Sequence, residues 1–160
     1  MRRRLAALAA ALPLLALGSQ AQAAPSDPIG DLIVSALTAT TPGAPDWNLK
    51  ATLYHAGAKG VGALDSLGCK VVAMRTAAVD RTLIPRRTVL FIKETVGMPM
   101  PGGGTHDGYR YASDTGGAIK GKRIDLFTGA GSGSMKPARQ LNLASLSVTK
   151  VGEFKGCPPG

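Results

Sequence analysis

Arg123-Ile124-Asp125-Leu126-Phe127 is the stretch that decides the fold. Successive side chains of an extended strand point to opposite faces, so Ile124 and Leu126 enter a core while Asp125 between them faces out into a groove. Ala77-Ala78-Val79-Asp80 repeats the pattern, with Ala77 and Val79 inward and Asp80 on the other side. A third aspartate opens the turn Asp114-Thr115-Gly116-Gly117-Ala118-Ile119-Lys120-Gly121 that leads into the first stretch. Each aspartate therefore stands at or beside the end of an apolar strand. The adjacent Gly116 and Gly117 permit positive backbone angles and a close approach by a ligand or another strand.

Outward from this centre the chain keeps the same character. From Leu49 on, short apolar runs are punctuated by glycine, and no window holds a 3.6-residue period for three turns, which favours strands over helices. The expected strands are Lys50 to Tyr54, Lys70 to Met74, Thr76 to Val79, Thr88 to Lys93, Tyr109 to Ser113, Ile124 to Phe127 and Ser145 to Phe154. So many short strands in so small a chain imply an all-β closed barrel or sandwich. Gly97 to Gly108 and Gly129 to Pro137 read as surface loops of the kind that border a binding groove. No internal repeat is visible in residue identity. Trp47, Tyr109 and Tyr111 are placed in the core or over a barrel end rather than on a ligand.

Met1 to Ala23 reads as a signal peptide: Arg2, Arg3 and Arg4 precede an apolar run that is shorter than the roughly 18 residues of a membrane span. Ala21-Gln22-Ala23 supplies the small-residue cleavage pattern. With no cysteine after the apolar run, no lipid anchor is expected, and the implied location is periplasmic or secreted. Removal of 23 residues from 160 leaves 137, enough for one domain and too few for two. Residues 24–48 form a lead-in rich in Pro, Thr, Ser and Asp, and residues 49–160 form the domain. Without the leader arginines, 16 basic residues stand against 10 acidic ones, a charge of +6 that favours anionic partners. The basic residues are dispersed without aromatic interleaving, which argues against nucleic acid. Cys69 and Cys157 are the two cysteines, and an oxidising compartment pairs them in a disulfide that closes a long loop, worth about 4 to 5 kcal/mol in the chain-entropy account.

Taken together and in order, "AVDRTLIP" (78–85), "DTGGAIKG" (114–121) and "RIDLF" (123–127) resemble the three-aspartate (3D) domain, related to the barrel domain of membrane-bound lytic transglycosylase A. The resemblance spans Thr76 to Gly129. It implies a six-stranded double-psi β-barrel whose groove binds peptidoglycan glycan strands and, in the enzymes, cleaves the MurNAc-GlcNAc β-1,4 bond with formation of 1,6-anhydroMurNAc. Matched motif to motif, the catalytic acid and base falls on Asp125, and Asp114 and Asp80 fall on supporting carboxylates. Thr115, Gly116, Gly117, Lys120 and Tyr54 are the expected substrate contacts. The reaction needs neither cofactor nor metal. The chain is short beside the transglycosylase pattern and lacks a second wall for the groove, so either a monomer or a dimer that completes the groove is implied.

Competing readings of these residues fall away on chemistry or stay open. Gly116 to Lys122 fits GxxxxGK, but Arg123 stands where a phosphate loop needs Ser or Thr for magnesium. His55 and His106 have no metal-ligand spacing and read as exposed or core-edge histidines. Asp80 serves equally well as a turn-forming brace. A barrel of this kind that binds or loosens the wall without cutting it, or that docks on a larger wall machine, remains the alternative to an enzyme.

Overall fold

A computed structural model describes residues 43–159; the leader and residues 24–42 of the lead-in lie outside the described residues. Among the described residues six strands close into a barrel: β1 (Trp47–Ala56), β2 (Thr76–Val79), β3 (Thr88–Ile92), β4 (Tyr109–Asp114), β5 (Arg123–Ala130) and β6 (Ser145–Glu153). Around the wall the order is β1-β5-β2-β4-β3-β6. β1 runs parallel to β5 and β2 parallel to β4, and every other neighbouring pair is antiparallel.

This order contains the two interlocked crossings of a double-psi barrel. β1 and β2 are consecutive in the chain yet flank β5, and β4 and β5 are consecutive yet flank β2. Exchanging β1, β2, β3 with β4, β5, β6 leaves the ring and every pairing direction unchanged. The repeat that residue identities do not reveal is therefore present in the topology. Closure pairs both edges of every strand and removes the exposed edge that invites aggregation.

Alternation fills the interior as the sequence implies. Leu49, Ala51, Ala77, Leu90, Ile92, Ala112, Ile124, Leu126, Leu146 and Val148 are each wholly buried. Truncating one of the leucines to alanine in such a core typically costs about 2 to 5 kcal/mol. The surprise inside is Arg110, also wholly buried, whose guanidinium reaches only the Phe127 carbonyl at 3.4 Å and the Met74 sulfur at 3.8 Å. Burial, reinforced by the nearby Arg75 charge, lowers its pKa to about 9.

Three expectations need correction. Lys70 to Met74 is not a strand: apart from one bridge from Lys70 to Leu64 it is irregular, and it ends in a turn with Met74 at φ 60°. Gly129 to Pro137 is not a loop, because β5 continues to Ala130 and a 3₁₀ helix follows over Ser132–Leu141. Its three-residue repeat buries Ala138 and Leu141 and escapes a search for 3.6-residue periodicity. Tyr109 and Tyr111 do not fill the core. Arg110 and Ala112 take the inward positions of β4, and the two tyrosines pack edge-on against Phe91 and Phe154 on the outer side. Trp47 does pack against the core, half-buried.

Candidate active site

Strand register gathers the site. Thr52 of β1 pairs with Asp125, Asp125 pairs with Ala78 of β2, and Ala78 pairs with Asp114 of β4, so four strands present one row across the barrel wall. Ile124 and Leu126 point inward on either side of Asp125, which turns that carboxylate outward as the alternation requires. Asp114 needs a further device. Strict alternation from the inward Arg110 and Ala112 would send it into the core, but the β2–β4 register slips between Ala77 and Ala78, and this irregularity re-aims the strand end. Ala78, whose side chain is a single methyl group, stands between Asp114 and Asp125 in the register, and a cavity of about 210 Å³ is lined by Tyr54, Ala78, Asp114, Thr115, Gly116 and Asp125.

The two carboxylates of this cavity have opposite surroundings. Asp114 is saturated with donors: Oδ2 accepts the Tyr54 hydroxyl at 2.9 Å, and Oδ1 accepts the Ser66 N–H at 3.0 Å and the Thr115 N–H at 2.8 Å. Burial and the Asp114 charge raise the Tyr54 hydroxyl far above its ordinary range, so it remains a donor at any physiological pH. Asp125 is half-buried and its Oδ1 has no hydrogen-bond partner; the adjacent Thr52 hydroxyl is likewise buried without one. Burial pushes the Asp125 carboxyl above the usual aspartate range and the Asp114 charge adds to the rise, while the nearby Thr52 hydroxyl and Arg123 oppose it.

One wall of the cavity comes from the β1–β2 connection, where Gly60, Val61, Gly62, Leu64 and Val71 complete the lining. This wall is tied down twice. Ser66 holds the end of β4 through its N–H to Asp114 and its hydroxyl to the Ser113 carbonyl at 2.9 Å. Asp65 Oδ1 accepts the N–H groups of Leu67 and Cys69, and Cys69 is bonded to Cys157 as the cysteine count implied. Asp65 and Ser66 were not among the residues singled out from the sequence. The signal was available, since Asp-Ser-Leu-Gly before a cysteine is a side-chain-capped turn.

Other expected residues fall elsewhere. Asp80 does not line the cavity. Its Oδ1 accepts the Thr82 N–H at 3.0 Å and hydroxyl at 2.8 Å, and its Oδ2 accepts the Gly121 N–H at 2.7 Å. Those bonds, the Gly121 N–H foremost, lower its pKa to about 2. Gly117 and Lys120 border a neighbouring cavity with Thr115 and Gly116. Neither glycine of the pair adopts a positive φ. Gly116 is required instead by packing, since a Cβ there would lie 2.9 Å from Ile119 Cγ1, and the positive angle belongs to Gly121 at 59°. His106 is wholly buried: Nε2 meets the Met74 carbonyl at 2.7 Å and Nδ1 accepts the Gly108 N–H at 2.8 Å, a pattern that fits the neutral ring. Asp107 pairs with Arg75 away from the cavity.

A six-stranded double-psi barrel with paired carboxylates on its outer wall is thus the class that fold and site define. Residues 75–138, which include all three motif aspartates, match the family described as the 3D domain. Among solved structures it is similar to E. coli MltA with bound chitohexaose, at 24% identity and a TM-score of 0.40, covering 56% of this chain and 27% of that one. It is similar also to the lytic transglycosylase LtgG of Burkholderia pseudomallei, at 28% identity and a TM-score of 0.40, covering 56% and 26% respectively. A membrane-bound lytic murein transglycosylase from Agrobacterium tumefaciens matches at 26% identity and a TM-score of 0.38, covering 53% and 23%. This chain therefore spans about a quarter of the length of these solved structures. A search of the curated proteins gave no match.

Proposed function

We propose that this protein is an exported peptidoglycan lytic transglycosylase in which Asp125 is both acid and base. The observation that carries the reading is the contrast within one cavity: a half-buried Asp125 with a raised pKa and an unpartnered oxygen, beside a fully hydrogen-bonded Asp114. A half-buried carboxyl whose pKa is raised, beside a second carboxyl whose two oxygens are both hydrogen-bonded, is an arrangement by which proteins divide acid and charge-stabilising roles between two carboxyl groups. It stands in a 3D domain, whose motifs this chain carries in order.

Protonated Asp125 donates its proton to the glycosidic oxygen as the bond from C1 of the muramyl sugar to that oxygen breaks. Positive charge develops at C1, and the Asp114 carboxylate, fixed by Tyr54, Ser66 and Thr115, stabilises it without reorganising. The Asp125 carboxylate then takes the proton of the muramyl C6 hydroxyl, whose oxygen bonds to C1 and closes the 1,6-anhydro ring. Asp125 ends protonated, ready for the next bond, and no water is consumed. Ordinary glycosidases need two carboxyl groups to manage both leaving group and nucleophile, whereas here the nucleophile belongs to the substrate.

Incubation of the protein with purified sacculi should release 1,6-anhydromuropeptides, identified by mass spectrometry. Products with reducing ends would mean hydrolysis and would remove the mechanism. A second reading, a barrel that binds glycan without cutting it, is favoured by the small size of the cavity, about 210 Å³. Sedimentation with sacculi and no soluble product would select it.

A further inference from the structure

Beside the carboxylate cavity lies a second one, of about 300 Å³, lined by Val79, Arg81, Thr115, Gly116, Gly117 and Lys120. Thr115 and Gly116 line both, so the two cavities adjoin across the backbone of these two residues. The first presents two carboxyl groups. The second presents two cations, and neither is engaged: among the described residues the ion pairs join Arg75 to Asp107 and Lys150 to Glu153.

Asp80 explains why these cations are together and unpaired. It follows β2 directly, next to Arg81, and its carboxylate is within electrostatic reach of Lys120 without pairing with it. Its oxygens are occupied by backbone and hydroxyl donors, Thr82 on one and Gly121 on the other. It thus ties the turn that carries Arg81 to the turn that carries Lys120 and leaves both side chains free to reach outward. Val79, 1% exposed, closes the floor behind them.

Resting on the glycan reading above, we propose that this second cavity is a subsite for a carboxylate carried by the substituent of the muramyl sugar, bound by Arg81 and Lys120, with Asp80 as the positioning residue. A guanidinium grips a carboxylate through paired N–H groups and an ammonium adds a point charge. Two sources offer that chemistry, the lactyl ether on the sugar ring and the peptide attached to it. The adjoining position places such a group next to the bond that Asp125 would protonate, so the subsite would set which sugar occupies the reacting position.

The test measures the affinity of the full chain for three probes by titration calorimetry: neutral chitohexaose, glycan strands stripped of peptide and bearing free lactyl carboxylates, and peptide-bearing strands. The native protein should bind at least one carboxylate-bearing probe more tightly than chitohexaose, a preference that added salt erodes. In Arg81→Gln/Lys120→Gln that preference should fall by roughly tenfold or more, with chitohexaose binding unchanged. Loss confined to stripped strands identifies the lactyl group, and loss confined to peptide-bearing strands identifies the peptide. Asp80→Asn should reduce the same preference and leave chitohexaose alone, whereas a merely structural defect would weaken every probe equally. Equal native affinity for all three probes, or an equal effect of the double variant on all three, overturns the subsite and leaves the glycan reading standing. Failure to bind any probe overturns both.

Discussion

Asp125 and Asp80 are the same side chain in the same family signature, one on β5 and one just beyond β2, the two strands that pair at the heart of the barrel. Their carboxyl groups are driven in opposite directions. Asp80 meets three donors and is held down at about 2, while Asp125 has an oxygen with no partner and is pushed above the usual aspartate range, chiefly by burial. The lesson is that the donors aimed at a carboxylate, and not its place in a motif, decide whether it braces or reacts. Asp114 shows the intermediate use, fully bonded like Asp80 yet open to the same cavity as Asp125.

The largest effect should come from removing the acid. Asp125→Asn should lower the rate of anhydromuropeptide release by about 10² to 10⁴-fold, the usual worth of general acid–base catalysis. It should do so while making the fold more stable at neutral pH. A carboxyl whose folded pKa lies above its unfolded value costs stability as pH rises through the ordinary aspartate range, and the amide does not ionise. Thermal melts of both proteins across pH would show the gap opening upward from that range; a variant less stable at neutral pH contradicts the account of Asp125.

Next in size is the link that steadies the cavity wall. The double variant Cys69→Ser/Cys157→Ser should lose about 2 to 5 kcal/mol in denaturant unfolding. Because Cys69 anchors the turn whose Ser66 holds Asp114, turnover should fall more than the folded fraction does. If activity simply tracks the folded fraction, the turn does not serve the carboxylate.

Tyr54→Phe deletes one donor to Asp114 and should cost about 1 kcal/mol of stability, a single net hydrogen bond. Turnover should drop alongside it, since the Asp114 carboxylate loses a fixed partner, and a variant with wild-type kinetics would show that Ser66 and Thr115 suffice.

Asp80→Asn gives the smallest and most pH-specific change. Depressed from 3.8 to about 2, Asp80 contributes stability that is full above pH 3.8 and is lost as pH falls toward 2. The variant should be less stable at neutral pH and should show a flatter acid limb over that window. Parallel acid limbs would mean the bonds from Gly121 and Thr82 carry no weight.

The alternation of Ile124, Asp125 and Leu126 determined by itself that this stretch forms a strand with its aspartate facing outward, because a strand has a period of two wherever it sits. The motif order pointed to the barrel and to the 3D domain that residues 75–138 match, and the two cysteines pointed to the link between them. Only the tertiary structure decided which aspartates share a cavity. That depends on β5 lying between β1 and β2, on the slip in register that turns Asp114 outward, and on donors supplied by residues 66 and 121, far along the chain from the carboxyls they meet. Local pattern likewise missed the 3₁₀ helix and the buried Arg110. Whether a charge is desolvated and which face of a strand wins the core are properties of neighbours that the chain brings together only on folding.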